Sequence, residues 1–132
     1  NMEFEVTFQG NKQVIAHLGE HTILTDQPVY GGGDNKGPAP FSLFLASIGT
    51  CAGIYVKSFC DQRGIPTDKI KIVQKHKFNQ LTHMIEDLQI EINLPADFPE
   101  KYKDAVIKAA DQCAVKKHLH NPPHMGVTTK TV

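Results

Sequence analysis

Residues 2–9 alternate apolar and polar side chains, with Met2, Phe4, Val6 and Phe8 set against Glu3, Glu5, Thr7 and Gln9. A period of two over such a run predicts a strand with one buried face. Gly10 and Asn11 read as a turn, and residues 12–18 and 21–25 read as two more strands separated by Gly19 and Glu20. The chain therefore opens as an antiparallel meander. Residues 26–40 carry three prolines and four glycines, the composition of a loop. The period then changes. Phe44, Ile48, Cys51, Tyr55 and Phe59 recur at helical spacing and predict a long helix over residues 40–63, with proline at its entrance and Gly64 as its cap. Most of its other faces are also apolar up to residue 54, so this helix is expected to be central and covered on more than one side.

Alternation returns over residues 69–77 and 83–93, with Asn79 and Gln80 supplying the turn. Residues 95–99 break the chain with two prolines. Residues 100–112 predict an amphipathic helix whose inner face carries Tyr102, Val106, Ala109 and Ala110, and residues 113–119 a short helical stretch. A loop follows at 121–126, and the β-branched run 127–132 predicts a last strand. The order β-β-β-α-β-β-α-α-β predicts a single α+β domain over residues 1–132.

At 132 residues the chain is long enough to bury one core. Apolar residues make up 40% and charged residues 21%, which places it among folded rather than disordered chains. The formal net charge is zero, so no long-range field draws it to nucleic acid or to an anionic membrane, and neither is expected as a partner. The longest apolar stretch, residues 41–56, carries Ser, Thr and Gly and stops at Lys57, so no membrane span and no secretory leader are read from the sequence. Three cysteines are an odd number and too few for a disulfide scaffold, which fits a reducing, cytoplasmic setting.

The cysteines carry the candidate chemistry. Cys51 and Cys60 share the long helix; at ~100° per residue they face roughly opposite sides and stand about 13 Å apart along the axis. That is too far for a disulfide. Cys60 therefore reads as a small buried hydrophobe. Any redox pair must join Cys51 to Cys113 through tertiary structure. Gly49, Thr50 and Gly53 surround Cys51 with small side chains that admit a neighbouring element closely. Cys113 begins a short helical stretch, where free amides and Lys116 and Lys117 favour a thiolate at that residue. Taken alone, Cys51 on a core helix reads first as packing, and Cys113 reads equally as a helix-terminal packing residue. His118, His120 and His124 lie near Cys113, but their spacing is irregular and no second Cys supports a zinc site, so no metal is expected. Gly31, Gly32 and Gly33 precede a helix without the Gly-Lys-Ser/Thr order of a phosphate loop, and read as a flexible entrance loop. Glu86 and Asp87 read as solvated charges.

The combination of Gly31, Gly32, Gly33 and Asp34 with Gly37, Pro38 and Pro40, then Leu43, Leu45, Ala46, Gly49 and Cys51, resembles the loop-plus-helix signature of the OsmC/Ohr family. Gly64, Ile65 and Pro66 before a lysine-rich strand, and Ala110 through Cys113 to Leu119, resemble its later part. The resemblance implies an OsmC-like α+β fold, with an antiparallel sheet and long central helices, assembled as an intertwined homodimer. It implies thiol-dependent reduction of organic hydroperoxides, with Cys51 as peroxidatic and Cys113 as resolving thiol, an external dithiol as reductant and no cofactor. Phe41, Phe44, Ile48 and Tyr55 would then line an apolar substrate pocket. Two positions depart from the family's characterised peroxidases. Phe41 stands where they carry a Glu, and the only arginine, Arg63, lies outside the N-terminal region that supplies theirs. The alternative is a non-catalytic dimer that binds a small apolar ligand in its interface cavity.

Overall fold

The first alternating segment forms a strand, shorter than expected, and the buried face expected of it is not buried: all four of its residues are exposed. Strands β1 (Glu5–Phe8), β2 (Val14–Leu18) and β3 (His21–Thr25) form a three-stranded antiparallel sheet in that order. Phe8 lies opposite Val14, Val6 opposite Ala16, and Ala16 opposite Ile23. Opposed residues share a face, so these side chains make one apolar face of the sheet. The β1–β2 turn places Asn11 at φ 55°, a left-handed conformation that Asn tolerates better than most residues.

The computed structural model describes residues 2–132. They fall into two compact units, one ending at Ala46 and the other spanning Ser47–Val132. In the first unit the glycine-rich loop folds back on a buried carboxylate. Asp26 is buried, and its Oδ1 accepts from the Gln27 amide at 2.7 Å while Oδ2 accepts from the Lys36 and Asp34 amides at 3.0 and 3.2 Å. The Lys36 amide, helped by those of Gln27 and Asp34, outweighs burial and holds the Asp26 carboxyl below the ordinary range. Gly33 is required here, because a Cβ would lie 2.1 Å from the Gln27 carbonyl oxygen. This corrects the reading of a flexible entrance loop. The amides of Asp34 and Lys36, which a phosphate would need, are committed to an internal anion.

Helix α1 (Pro40–Asp61) runs across the division between the units. The Ala39 carbonyl accepts from the amides of Ser42 and Leu43, and Pro40 occupies the first turn, where its missing N–H has no helical partner to lose. The far end closes with the Ile65 amide on the Cys60 carbonyl at 2.9 Å and the Gly64 amide on that of Asp61. Gly64 takes φ +65°, as a glycine cap of this type demands. That reversal ends the helix slightly before residue 63. The helix is long and apolar enough by composition to cross a bilayer, more so than the sequence reading allowed, and 33% of its most apolar window is buried.

In the second unit β4 (Lys71–Asn79) and β5 (Met84–Asn93) pair as an antiparallel hairpin. The Asn79 side-chain carbonyl accepts from the amides of Leu81 and Thr82 and shapes the turn. Ile72 lies opposite Ile92, and Gln74 opposite Ile90, on the inner face. The outer face carries the exposed pairs Lys75–Glu91 and Lys77–Glu86, each worth about 0–1 kcal/mol. Gly53 lets Ile72 close on α1, and the Gln74 side chain occupies the space a Cβ on Gly49 would need.

After a 3-10 turn at Glu100–Tyr102 come α2 (Lys103–Ala110) and α3 (Ala114–His120). Val56, Phe59, Cys60, Phe98 and Val106 form the buried core. Fully burying a large apolar side chain contributes about 1.5–3 kcal/mol. Cys60 has no exposed surface, and burial pushes its thiol up. Arg63 lies 3.7 Å over the Phe59 ring and donates to the Phe59 carbonyl, so the lone arginine closes the end of α1. No strand forms over residues 127–132. The run is exposed and pairs with no strand among the described residues, so β propensity alone does not make it a strand.

Candidate functional site

Two elements of the second unit bring Cys51 and Cys113 together. Cys51 is half-buried on α1, and Cys113 is the N-cap residue of α3, 2% exposed. The short turn after α2 places the first amides of α3 against the Cys51 sulfur. The backbone N–H groups of Val115 and Ala114 and the Cys113 thiol lie near the Cys51 sulfur and favour its thiolate. The Val115 amide has the largest effect and, with the other two, outweighs burial; the Cys51 thiol is held below its ordinary range. Cys113 goes the other way. Burial pushes its thiol up, and the neighbouring Cys51 adds to this against the Lys116 and Val115 amides. Its Sγ also lies 3.9 Å from the Ile48 carbonyl oxygen as a donor. Both sulfurs are free thiols.

The sequence had assigned the activating amides and lysines to Cys113, and this is corrected. Helix α3 does supply amides, but the greater benefit falls on Cys51. Cys113 sits in apolar surroundings that disfavour its charge, and Lys116 is paired with Asp111. The pair is thus asymmetric: one sulfur suited to be a thiolate, the other to keep its proton.

A cavity of about 600 Å³ lies beside the pair within the second unit. Ile48 and Ala52 of α1, Leu88 and Ile90 of β5, and Val106 of α2 line it, together with Cys113. Cys51 is not among its lining residues. Of the four apolar residues expected around a substrate, Ile48 lines this cavity, whereas Phe41, Phe44 and Tyr55 do not. Phe41 and Phe44 are exposed and stack on each other at 5.6 Å between ring centroids. Sequence reasoning missed the contribution of Val115 and Ala114, because it comes from their backbone; the only hint was a helix start beside a cysteine. Among the described residues no group of His, Cys, Asp and Glu is arranged to hold a metal ion.

The description OsmC-like protein matches the chain over residues 33–128. No curated protein matches it. Among solved structures, a Psychrobacter arcticus 273-4 protein named for osmotic stress induction and a detoxification response is similar at 22% identity and TM-score 0.73, over 89% of this chain and 88% of that one. An OsmC-like protein from Mycoplasma pneumoniae is similar at 14% identity and TM-score 0.63, over 92% and 90%. A Legionella pneumophila organic hydroperoxide resistance protein OsmC, described as a predicted redox protein and regulator of sulfide bond formation, is similar at 14% identity and TM-score 0.54, over 89% and 87%. At these identities the structures show a shared fold: helices with antiparallel sheets, the α+β class expected from the sequence. With the match covering most of its length, the chain belongs to the OsmC-like protein family.

Proposed function

We propose that this protein reduces organic hydroperoxides with Cys51 and Cys113, as a homodimer, in a stress-related role. The observation that carries the reading is that Cys51 on α1 and the buried Cys113 at the start of α3 lie side by side, with the Val115 and Ala114 amides favouring the Cys51 thiolate. The Cys51 thiolate attacks the peroxide O–O bond. The S–O bond forms, the alkoxide leaves and takes a proton, and Cys51 becomes a sulfenic acid. The Cys113 sulfur then displaces hydroxide from it, which leaves as water with the Cys113 proton, and the disulfide forms. An external dithiol returns both cysteines to thiols and leaves as its own disulfide. The amides of Val115 and Ala114 take the part that an N-terminal arginine plays in the family's characterised peroxidases.

The homodimer reading is supported by apolar surface. All four residues of β1 are exposed, with Val6 56% and Phe8 84% exposed on one side, and Ile54 of α1 is 57% exposed. Patches of this kind mark association surfaces. Light scattering would report the mass. The odd cysteine count supports a reducing compartment, and the cytoplasm is the proposed location.

The test is consumption of cumene hydroperoxide with dithiothreitol, in the intact protein and in Cys51→Ser and Cys113→Ser. Multiple turnovers, lost in Cys51→Ser, with a sulfenic acid trapped in Cys113→Ser, are expected. An intact protein that consumes at most one equivalent refutes the peroxidase. The apolar cavity then favours the alternative, a non-catalytic dimer binding a small apolar ligand.

A further inference from the structure

The far end of the β4–β5 hairpin holds large apolar side chains in water. Phe78 is 53% exposed, Leu81 93% and Met84 64%. Single exposed apolar residues are ordinary, but three around one apex make a patch. Phe78 pairs with Ile85 and Asn79 with Met84. Opposed residues share a face and successive ones alternate, so Phe78 and Met84 project from opposite faces of the hairpin, with Leu81 at the apex. No single flat partner surface covers both faces, whereas a fluid phase that surrounds the tip does. The backbone of the apex is closed as such a phase requires. The Leu81 and Thr82 amides donate to Asn79 Oδ1 at 2.9 and 3.1 Å, and the His83 amide donates to the Asn79 carbonyl at 2.8 Å. Unpaired N–H groups there would oppose entry into an apolar phase. The nearest lysines carry partners: Lys77 with Glu86 at 3.4 Å and Lys75 with Glu91 at 3.0 Å. The tip therefore offers apolar surface rather than positive charge.

We infer that the tip of the β4–β5 hairpin docks on a zwitterionic lipid surface, with Phe78, Leu81 and Met84 at the boundary between headgroups and acyl chains. Gln80 and Thr82 flank Leu81 and are exposed, so the apex stops at that boundary, where their polar ends stay hydrated. Lys75 and Lys77 lie further along β4 and reach water on long stems. Three side chains are a small anchor. Even one myristoyl chain gives only reversible attachment, so the association here is weak and reversible. It is also indifferent to salt, because no unpaired cation at the tip drives it. The zero formal net charge of the chain agrees with this: apolar contact, not a long-range field, makes the attachment. The inference stands apart from the cysteine chemistry and does not rest on the peroxidase reading.

The chain contains no tryptophan, so Leu81→Trp places a single fluorescent reporter at the apex. Tyr30→Trp, at an exposed position of the first unit, is the control. Both are titrated with phosphatidylcholine vesicles, with plain and with brominated acyl chains. The Leu81→Trp emission should shift to the blue and be quenched by the brominated lipid, while Tyr30→Trp stays unchanged. Tryptophan itself favours a lipid interface, so the unmodified protein is also compared with Leu81→Ala by co-sedimentation with the same vesicles. Each buried methylene is worth about fourfold in partitioning, so losing three carbons that are partly buried should weaken binding by about tenfold. Leu81 is exposed, so neither substitution disturbs the core. Emission that vesicles do not move, with no co-sedimentation of the unmodified protein, overturns the inference. Equal shifts at the two positions overturn it as well, since the attachment is then not at the tip. Binding that needs anionic lipid and disappears in salt contradicts the apolar anchor. A blue shift that rises with protein concentration without vesicles assigns the tip to a second copy of the chain and overturns the lipid surface.

Discussion

Replacing Ala114 with proline removes one backbone N–H from Cys51 and changes little else. Ala114 is exposed and opens α3, where proline is tolerated. Cys113 before it has φ −52° and ψ 126°, the extended conformation that a residue preceding proline prefers. Stability should therefore change by less than about 1 kcal/mol. A hydrogen bond to a charged acceptor is worth about 1.5 kcal/mol at the low end. Its loss lowers the Cys51 thiolate population roughly tenfold at any pH below its titration. The more basic thiolate that remains is also more nucleophilic; with a Brønsted slope of about 0.5 it gains about threefold. The two effects combine differently on the two limbs of the pH profile. Ala114→Pro should react with an aromatic disulfide about threefold slower than the unmodified protein at low pH, and about threefold faster on the alkaline plateau. The assay is the rate of Cys51 modification against pH, resolved by peptide mass so that Cys60 and Cys113 do not contribute. Superimposable profiles would refute the assignment of the Ala114 amide to the thiolate.

Two further outcomes follow from the loop of the first unit. Because Asp26 is held below its ordinary carboxyl range, chiefly by the Lys36 amide, its folded pKa is below its unfolded one. Its stabilisation is present above the unfolded value and is lost as pH falls through the folded value. Asp26→Asn should be less stable than the unmodified protein at neutral pH, with faster hydrogen exchange at the amides of Gln27, Asp34 and Lys36, and the two should converge in acid. A constant difference across the pH range would contradict this. Gly33→Ala forces a Cβ against the backbone of Gln27, which cannot yield as a side chain can, and should cost about 1–3 kcal/mol in chemical denaturation. Gly10→Ala, which meets nothing within 4 Å, is the control and should stay within about 0.5 kcal/mol.

The sequence by itself determined the elements. Phe4, Val6 and Phe8 alternate because a strand turns one side chain in two to the same face, and β1 follows that period. Ile48, Ala52, Val56 and Phe59 recur at helical spacing, and all are buried along α1. Pro40 and Gly64 mark the ends of that helix through backbone chemistry that is local and therefore legible. Local pattern misleads where a partner decides: residues 127–132 have the composition of a strand, but a strand needs a neighbour to accept its amides. It also misleads at the glycine-rich loop, whose conformation depends on the carboxylate of Asp26 at the end of β3. The two cysteines were legible as candidates, but their division of labour was not. Nothing in the spacing from Cys51 to Cys113 says that α3 aims the Val115 and Ala114 amides at the sulfur on α1, nor that apolar packing keeps Cys113 protonated. Hydrogen bonds to a backbone and the dielectric around a buried group belong to positions in space. Only the tertiary structure decides which of two identical thiols is the more acidic.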